Sequence, residues 1–298
     1  MKKSEKIRKE VSTSYAQAVT TGTGCCGGGT VPQGTLAKLA DYSHEELGTL
    51  PPEAVVSSFG CGNPLAFSGV QAGDVVLDLG SGAGIDILLA AKKVGPTGQV
   101  IGVDMTDEMI AQAQRNIAGA KLNNVEVRKG LIEELPVETA TVDWVISNCV
   151  INLSPEKNRV FTEIARVLKP GGQMRVSDIV VQDLPEWVRQ DQNFYNNCVA
   201  GAISEEEYLQ GLRKAGLRDV EVRDRIIYDA SQLLGLIASE VVDVPDTETS
   251  SSDPNVQIEF PTLTSGCCGT TPLTEEKLSK IAHELAGKVW SASFAATK

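Results

Sequence analysis

The sequence has no apolar run near the roughly 20 residues that a membrane-spanning helix needs, so a helical span is not expected. Histidine is scarce: His44 and His283 are the only two. No Cys-x-x-Cys spacing occurs, so the usual zinc frameworks lack both imidazole and thiolate pattern, and no structural metal is expected. A basic excess is also missing. Against 27 Lys and Arg stand 39 Asp and Glu, a formal net charge of −12. Such a surface repels phosphate, which disfavours nucleic acid as a substrate and an anionic membrane as a docking site. Residues Met1 to Glu10 are charged and lack the apolar stretch of a signal peptide. The default expectation is a cytoplasmic protein, in which thiols stay reduced. The seven cysteines are therefore read as ligands, redox groups or core residues before disulfides.

What is present points to one large α/β unit. The chain has 298 residues, 42% of them hydrophobic, enough to bury a core without covalent staples. A short polar helix is expected over residues 1–20. A Gly-rich segment at 21–34 follows, carrying Cys25 and Cys26. From residue 75 the rhythm becomes regular. Strands are expected at Val75–Leu79, Gln99–Asp104, Val125–Val127, Thr141–Asn148 and Gln173–Val180. Helices are expected at Ile85–Val94, Asp107–Lys121 and Ser154–Leu168, with Ser154 as N-cap of the last and Pro155 at its first position. Such alternation predicts a Rossmann-like, doubly wound, mostly parallel seven-stranded sheet, with a smaller C-terminal appendage. Beyond it, a helix at Glu205–Ala215, a strand at Arg218–Tyr228, a polar linker at 244–256 and a helical tail at 274–290 are expected. The expected organisation is an N-terminal cap over 1–60, a cofactor-binding domain over 61–228 and a C-terminal region over 229–298.

The segment Asp78-Leu79-Gly80-Ser81-Gly82-Ala83-Gly84 lies between the first strand and its helix. Glycines there permit a tight turn and a close approach of backbone to ligand. Asp104 ends the second strand, twenty residues beyond Gly84, where a carboxylate can accept bonds from two ribose hydroxyls. The G-x-G-x-G pattern departs from the G-x-G-x-x-G of dinucleotide folds. The negative charge of Asp78 suits a cationic sulfonium ligand better than a diphosphate.

These residues resemble those of class I methyltransferases. The resemblance implies that Asp78, Gly80, Ser81, Gly82 and Gly84 hold the methionine part of S-adenosylmethionine. It implies that Asp104 holds the ribose, with Met105 against the adenine. Ile132 and Glu133, in Gly130–Pro136, then flank the adenine, and Asn148 faces the methionine end.

Cys61, Cys149 and Cys198 stand singly, whereas Cys25-Cys26 and Cys267-Cys268 are adjacent pairs beside glycine. Cys149 follows Asn148 at the carboxyl end of the fourth strand, where open α/β sheets bind ligands. A soft, thiophilic centre needs thiolates converging from different segments. The segments SSFGCGNP, VISNCVINLSPEK, RVLKPGGQMRVSDIV and YNNCVAGA resemble those of arsenite S-adenosylmethionine methyltransferases, over roughly residues 10–228. That resemblance implies that Cys149 and Cys198 bind As(III). Cys61 joins them, as third ligand or as a thiol of a redox disulfide, and the terminal pairs help to capture arsenic. It further implies arsenite or its thiol conjugate as a small-molecule substrate, mono- and dimethylated arsenicals as products, and a glutathione- or thioredoxin-type thiol as reductant. A monomer is expected. Two other readings stay open: a methyltransferase for another small molecule, and a non-enzymatic thiol sensor or sequestering protein.

Overall fold

The computed structural model describes residues 3–21, 42, 48, 50, 51, 54, 62–65, 69–230, 232–233 and 275–298. The expectations for Cys25, Cys26, His44, Cys61, Cys267, Cys268 and the 244–256 linker lie outside these residues.

An N-terminal helix, α1 (Lys3–Thr21), precedes the sheet. Then follow β1 (Val75–Leu79), α2 (Ile85–Val94), β2 (Gln99–Asp104), α3 (Asp107–Gly119), β3 (Val125–Lys129) and β4 (Val142–Asn148). A single 3-10 turn, Ile151–Leu153, leads into α4 (Lys157–Val167) and β5 (Leu168–Val181). The remainder comprises α5 (Glu186–Arg189), α6 (Gln192–Asn196), α7 (Glu205–Lys214), β6 (Arg218–Ile227), α8 (Glu275–Leu285) and β7 (Val289–Thr297). The seven strands form one sheet in the order β3-β2-β1-β4-β5-β7-β6. The first five run parallel, whereas β7 is antiparallel to both β5 and β6. This is a Rossmann-like α/β fold.

The inner strands β1, β2 and β4 are largely apolar and buried because helices cover both faces, whereas the edge strand β3, Val-Glu-Val-Arg-Lys, is not. On one face Leu88 and Ala91 of α2 pack with Val76, Trp144 and Ile146. On the other, Phe161 and Ile164 of α4 and Tyr208 of α7 pack with Val176 and Phe294. Tyr208 stacks on Phe294 at 4.0 Å with the rings 6° apart. A third cluster gathers at the carboxyl end of β4 and β5. It joins Val11 of α1, Cys149, Phe194, Cys198 and Ile281 of α8.

Three local expectations need correction. Ser154 is not the N-cap of α4: Glu156 occupies that position, while the Ser154 hydroxyl donates to Glu133 and accepts from Glu156 N just ahead of the helix. β5 begins at Leu168 rather than Gln173, because Gly171 and Gly172 find backbone partners in Lys298. The tail is helical only to Leu285; Val289–Thr297 is a strand between β5 and β6. Its small residues, Ser291, Ala292, Ala295 and Ala296, are buried, yet give little hydrophobic alternation to read in sequence. The 229–298 region thus contributes an inner strand of the sheet as well as α8.

Candidate active site

Glycine shapes the first half of the site. The N–H groups of Gly80 and Ser81 both donate to Val103 O, at 2.8 and 3.1 Å, folding the β1–α2 loop over β2. Gly80, Gly82 and Gly84 have φ of 67°, 50° and 99°, the left-handed region that glycine enters without a Cβ penalty. A Cβ on Gly80 would lie 2.3 Å from Val150 Cγ2, so the loop also packs closely against the residue after Cys149.

The loop opens onto a cavity at the carboxyl ends of β1, β2 and β4, of about 960 Å³ including its mouth. All ten cofactor positions expected from sequence line it: Asp78, Gly80, Ser81, Gly82, Gly84, Asp104, Met105, Ile132, Glu133 and Asn148. Asp104 Oδ2 accepts from Gly82 N at 3.0 Å, and its Oδ1 from Thr106 N at 2.8 Å. Burial raises the Asp104 carboxyl above its ordinary pKa, and these N–H groups pull it part of the way back. Asp78 is pushed well up, first by burial and then by the charges of Asp86 and Asp104. Ser81 Oγ is buried and has no hydrogen-bond partner among the described residues.

The sequence reading missed Asp86. It sits in the first turn of α2, is buried, and lines the cavity with Asp78 and Asp104. A carboxylate inside the apolar start of α2, Ile-Asp-Ile-Leu-Leu, was the available signal. The Tyr42 hydroxyl donates to Asp86 Oδ1 at 2.8 Å and accepts from Asn148 Nδ2 at 2.9 Å. Asn148 also grips the backbone of Gly62: its Oδ1 accepts from Gly62 N at 3.1 Å, and its Nδ2 donates to Gly62 O at 2.5 Å. Gly62 must be glycine, because a Cβ there would lie 2.5 Å from Ser177 Cβ.

Also missed was Arg8, for which the polar pattern of α1 gave no signal. Its Nε donates to Glu133 Oε1 at 3.1 Å, and its Nη2 to Glu156. Glu133 further accepts from Ser154 Oγ at 2.7 Å. Farther along α1, Ser12 meets Thr106 at 3.3 Å, and the Tyr15 hydroxyl donates to Asn196 O at 3.1 Å. Arg8, Val11 and Tyr15 line the cavity, so α1 spans its mouth from Glu133 to α6.

The second half of the site carries the cysteines. Cys149 is buried, lines the cavity, and donates its N–H to Ser177 O at 2.8 Å. It is disulfide-bonded to a partner outside the described residues. Cys198 is buried and outside any disulfide, and its Sγ donates to Cys149 O at 2.7 Å. Both residues are left-handed, with φ of 59° and 61°. For a residue with a Cβ that conformation costs about 1–3 kcal/mol and persists only where the surroundings impose it. The structure thus brings Cys149 and Cys198 next to each other.

Near Cys198 lie the half-buried Lys157 and the buried Asp178. Lys157 Nζ donates to Asn152 O at 3.1 Å and Ser154 O at 2.9 Å. Burial lowers its pKa to about 8, against the pull of Asp178, Cys198 and Glu133. Burial raises Asp178 to about 7, despite the nearby Lys157.

Comparison with known proteins agrees with this geometry. A family described as "Methyltransferase domain" matches residues 71–216. The arsenite methyltransferase of Halobacterium salinarum is 43% identical over 231 residues, covering 73% of this chain and 59% of that protein. The human arsenite methyltransferase is 32% identical over 220 residues, covering 70% and 58%. The chain thus spans less than two thirds of the length of these curated relatives. The crystal structure of an arsenic(III) S-adenosylmethionine methyltransferase from Chlamydomonas reinhardtii superposes with a TM-score of 0.58 at 31% identity. It covers 90% of this chain and 75% of that one. On the strength of the glycine loop, the paired cysteines and these likenesses, the chain belongs to the arsenite methyltransferase family of S-adenosylmethionine-dependent methyltransferases.

Proposed function

We propose that the protein transfers methyl groups from S-adenosylmethionine to trivalent arsenic held by thiolates, giving mono- and dimethylated arsenicals. The observation that carries this reading is the convergence of Cys149 and Cys198 at one end of the cavity. Cys149 lines it, and the thiol of Cys198 is bonded to the Cys149 carbonyl.

The cavity fits the cofactor. Asp78, Asp86 and Asp104 place three carboxyl groups around it, and burial makes the charges of Asp78 and Asp104 costly until a cation arrives. Ser81 Oγ, unpartnered among the described residues, offers a further polar contact. We assign Asp78, Gly80, Ser81, Gly82 and Gly84 to the methionine part, Asp104 to the ribose, and Met105, Ile132 and Glu133 to the adenine side. Asn148 takes the methionine end next to the cysteines. When bound, S-adenosylmethionine supplies a methyl group activated by its sulfonium. The buried position of Cys149 and Cys198 excludes water and orients the arsenic lone pair, so catalysis is mostly positioning.

Cys61 is proposed as the third thiol. It adjoins Gly62, whose backbone Asn148 fastens beside Cys149. The same closeness makes it the proposed partner of the Cys149 disulfide. A glutathione- or thioredoxin-type thiol then has a defined task. Two such thiols give two electrons and two protons to the disulfide, freeing Cys149 and its partner. The arsenic lone pair next forms the As–C bond while the C–S bond electrons leave with sulfur. Two further thiols return the oxidised arsenic to the trivalent state. Cys25, Cys26, Cys267 and Cys268 are proposed as auxiliary arsenic ligands. Action as a cytoplasmic monomer on a small molecule completes the reading.

The test is incubation of the purified protein with As(III), S-adenosylmethionine and glutathione, followed by arsenic speciation. Methylated arsenicals together with S-adenosylhomocysteine are expected. Bound S-adenosylmethionine with no methylated arsenic would refute the acceptor.

A further inference from the structure

Tyr42 has no place in the chemistry above, yet it is buried at the centre of the site. Its hydroxyl is the hub of a chain that runs from the cofactor cavity to the cysteines. On one side it donates to Asp86, whose carboxyl lines the cavity. On the other it accepts from Asn148, which clasps Gly62 and immediately precedes Cys149.

The hydrogen count makes this chain responsive. Asn148 Nδ2 has two protons and, among the described residues, three acceptors in reach: Gly62 O at 2.5 Å, Tyr42 Oη at 2.9 Å and Asp86 Oδ2 at 3.4 Å. One proton goes to Gly62, and the other is shared between Tyr42 and Asp86. A positive charge in the cavity draws on the Asp86 carboxylate. The shared proton then settles on Tyr42, and the phenol is held between Asp86 and Asn148. The Asn148–Gly62 clasp, and the turn that carries Cys149, are tightened with it.

We infer that Tyr42 and Asp86 are positioning residues that couple occupancy of the cofactor cavity by a cationic sulfonium to the placement of the Asn148–Gly62 clasp beside Cys149. The inference rests on the proposed cofactor site, but not on arsenic as the acceptor. Coupling of this kind is reciprocal, and typical couplings change affinity by about 5–150-fold.

The test reads Cys149 itself. Reduced protein is treated with diamide, and re-formation of the Cys149 disulfide is timed by mass spectrometry. The reaction is run without ligand, with S-adenosylmethionine, and with neutral S-adenosylhomocysteine. In the native chain S-adenosylmethionine changes the rate at least about fivefold, a barrier difference of about 1 kcal/mol, and S-adenosylhomocysteine changes it less. In Tyr42→Phe, with binding of S-adenosylmethionine verified by calorimetry, the ratio falls towards one. Asp86→Asn, assayed at saturating ligand, behaves likewise and serves if Tyr42→Phe does not fold. An unchanged ratio in a ligand-saturated variant would overturn the inference. So would a native rate that ignores ligand shown to be bound. Failure of the native chain to bind S-adenosylmethionine would instead refute the cofactor site, and the coupling with it. Absence of arsenic methylation alone would leave this readout intact.

Discussion

The two ends of the cavity use the same backbone conformation with different residues. At the cofactor end Gly80, Gly82 and Gly84 are left-handed, and glycine enters that region freely. At the thiol end Cys149 and Cys198 are left-handed against their own steric preference. The first end needs an absence of side chain, so that backbone can approach a ligand. The second needs a side chain of one kind, aimed in one direction, and the fold bears strain to keep it there. Both ends serve a ligand, one through bare backbone and the other through a side chain held in a costly conformation.

The comparison breaks most sharply at the sulfurs. Cys149→Ser and Cys198→Ser keep the left-handed backbone but lose the thiophilic ligand. Arsenic methylation is expected to fall to background in each, with S-adenosylmethionine affinity within about threefold of native, the change of well under 1 kcal/mol usual where no ligand contact is lost. Speciation and calorimetry on the same samples check both halves. At the other end, Gly80→Ala adds a Cβ against Val150 in a left-handed turn. It is expected to lose about 1–3 kcal/mol of stability and to weaken cofactor binding, measured by denaturant titration and calorimetry.

Lys157 and Asp178, near Cys198, give a pH test. The folded pKa of Asp178 is raised from 3.8 to about 7, so the fold holds more protons than the unfolded chain between those values. Its contribution is complete below that window and is lost as pH rises through it, on the order of a few kcal/mol. Lys157, lowered from 10.5 to about 8, acts oppositely: stability recovers as pH rises from about 8 towards 10.5. Denaturant midpoints against pH should show a shallow minimum between the two, and Asp178→Asn should remove its acid side. The smallest effect concerns strain alone. At a relaxed buried position Ala is more stable than Gly by ~0.4–1 kcal/mol. Cys198→Gly should instead equal or exceed Cys198→Ala, by up to about 1 kcal/mol. Paired melting curves decide the sign.

Most of the parallel half of the fold was legible in sequence. β1, α2 and β2 were bounded correctly because buried strands and a glycine turn leave clear marks. β7 was not, since its small residues hide the two-residue period and its pairing partners are far away in the chain. The glycine-rich side of the cavity stood out because its glycines and Asp104 belong to one local strand-turn-helix-strand run. Asp86, Tyr42 and Arg8 did not, because each gains its role only from a partner brought near by folding. Cys149 and Cys198 stood out in the sequence by residue type and place, but their left-handed backbones left no trace there.

The central claim is that trivalent arsenic sits on the thiolates at the strained end of the cavity. X-ray absorption at the arsenic edge, on reduced protein loaded with one equivalent of As(III), tests it directly. The account predicts a sulfur-only shell of three ligands in the native chain, and one sulfur fewer in Cys198→Ser. A shell of oxygen, or a sulfur shell that Cys149→Ser and Cys198→Ser leave unchanged, would contradict it.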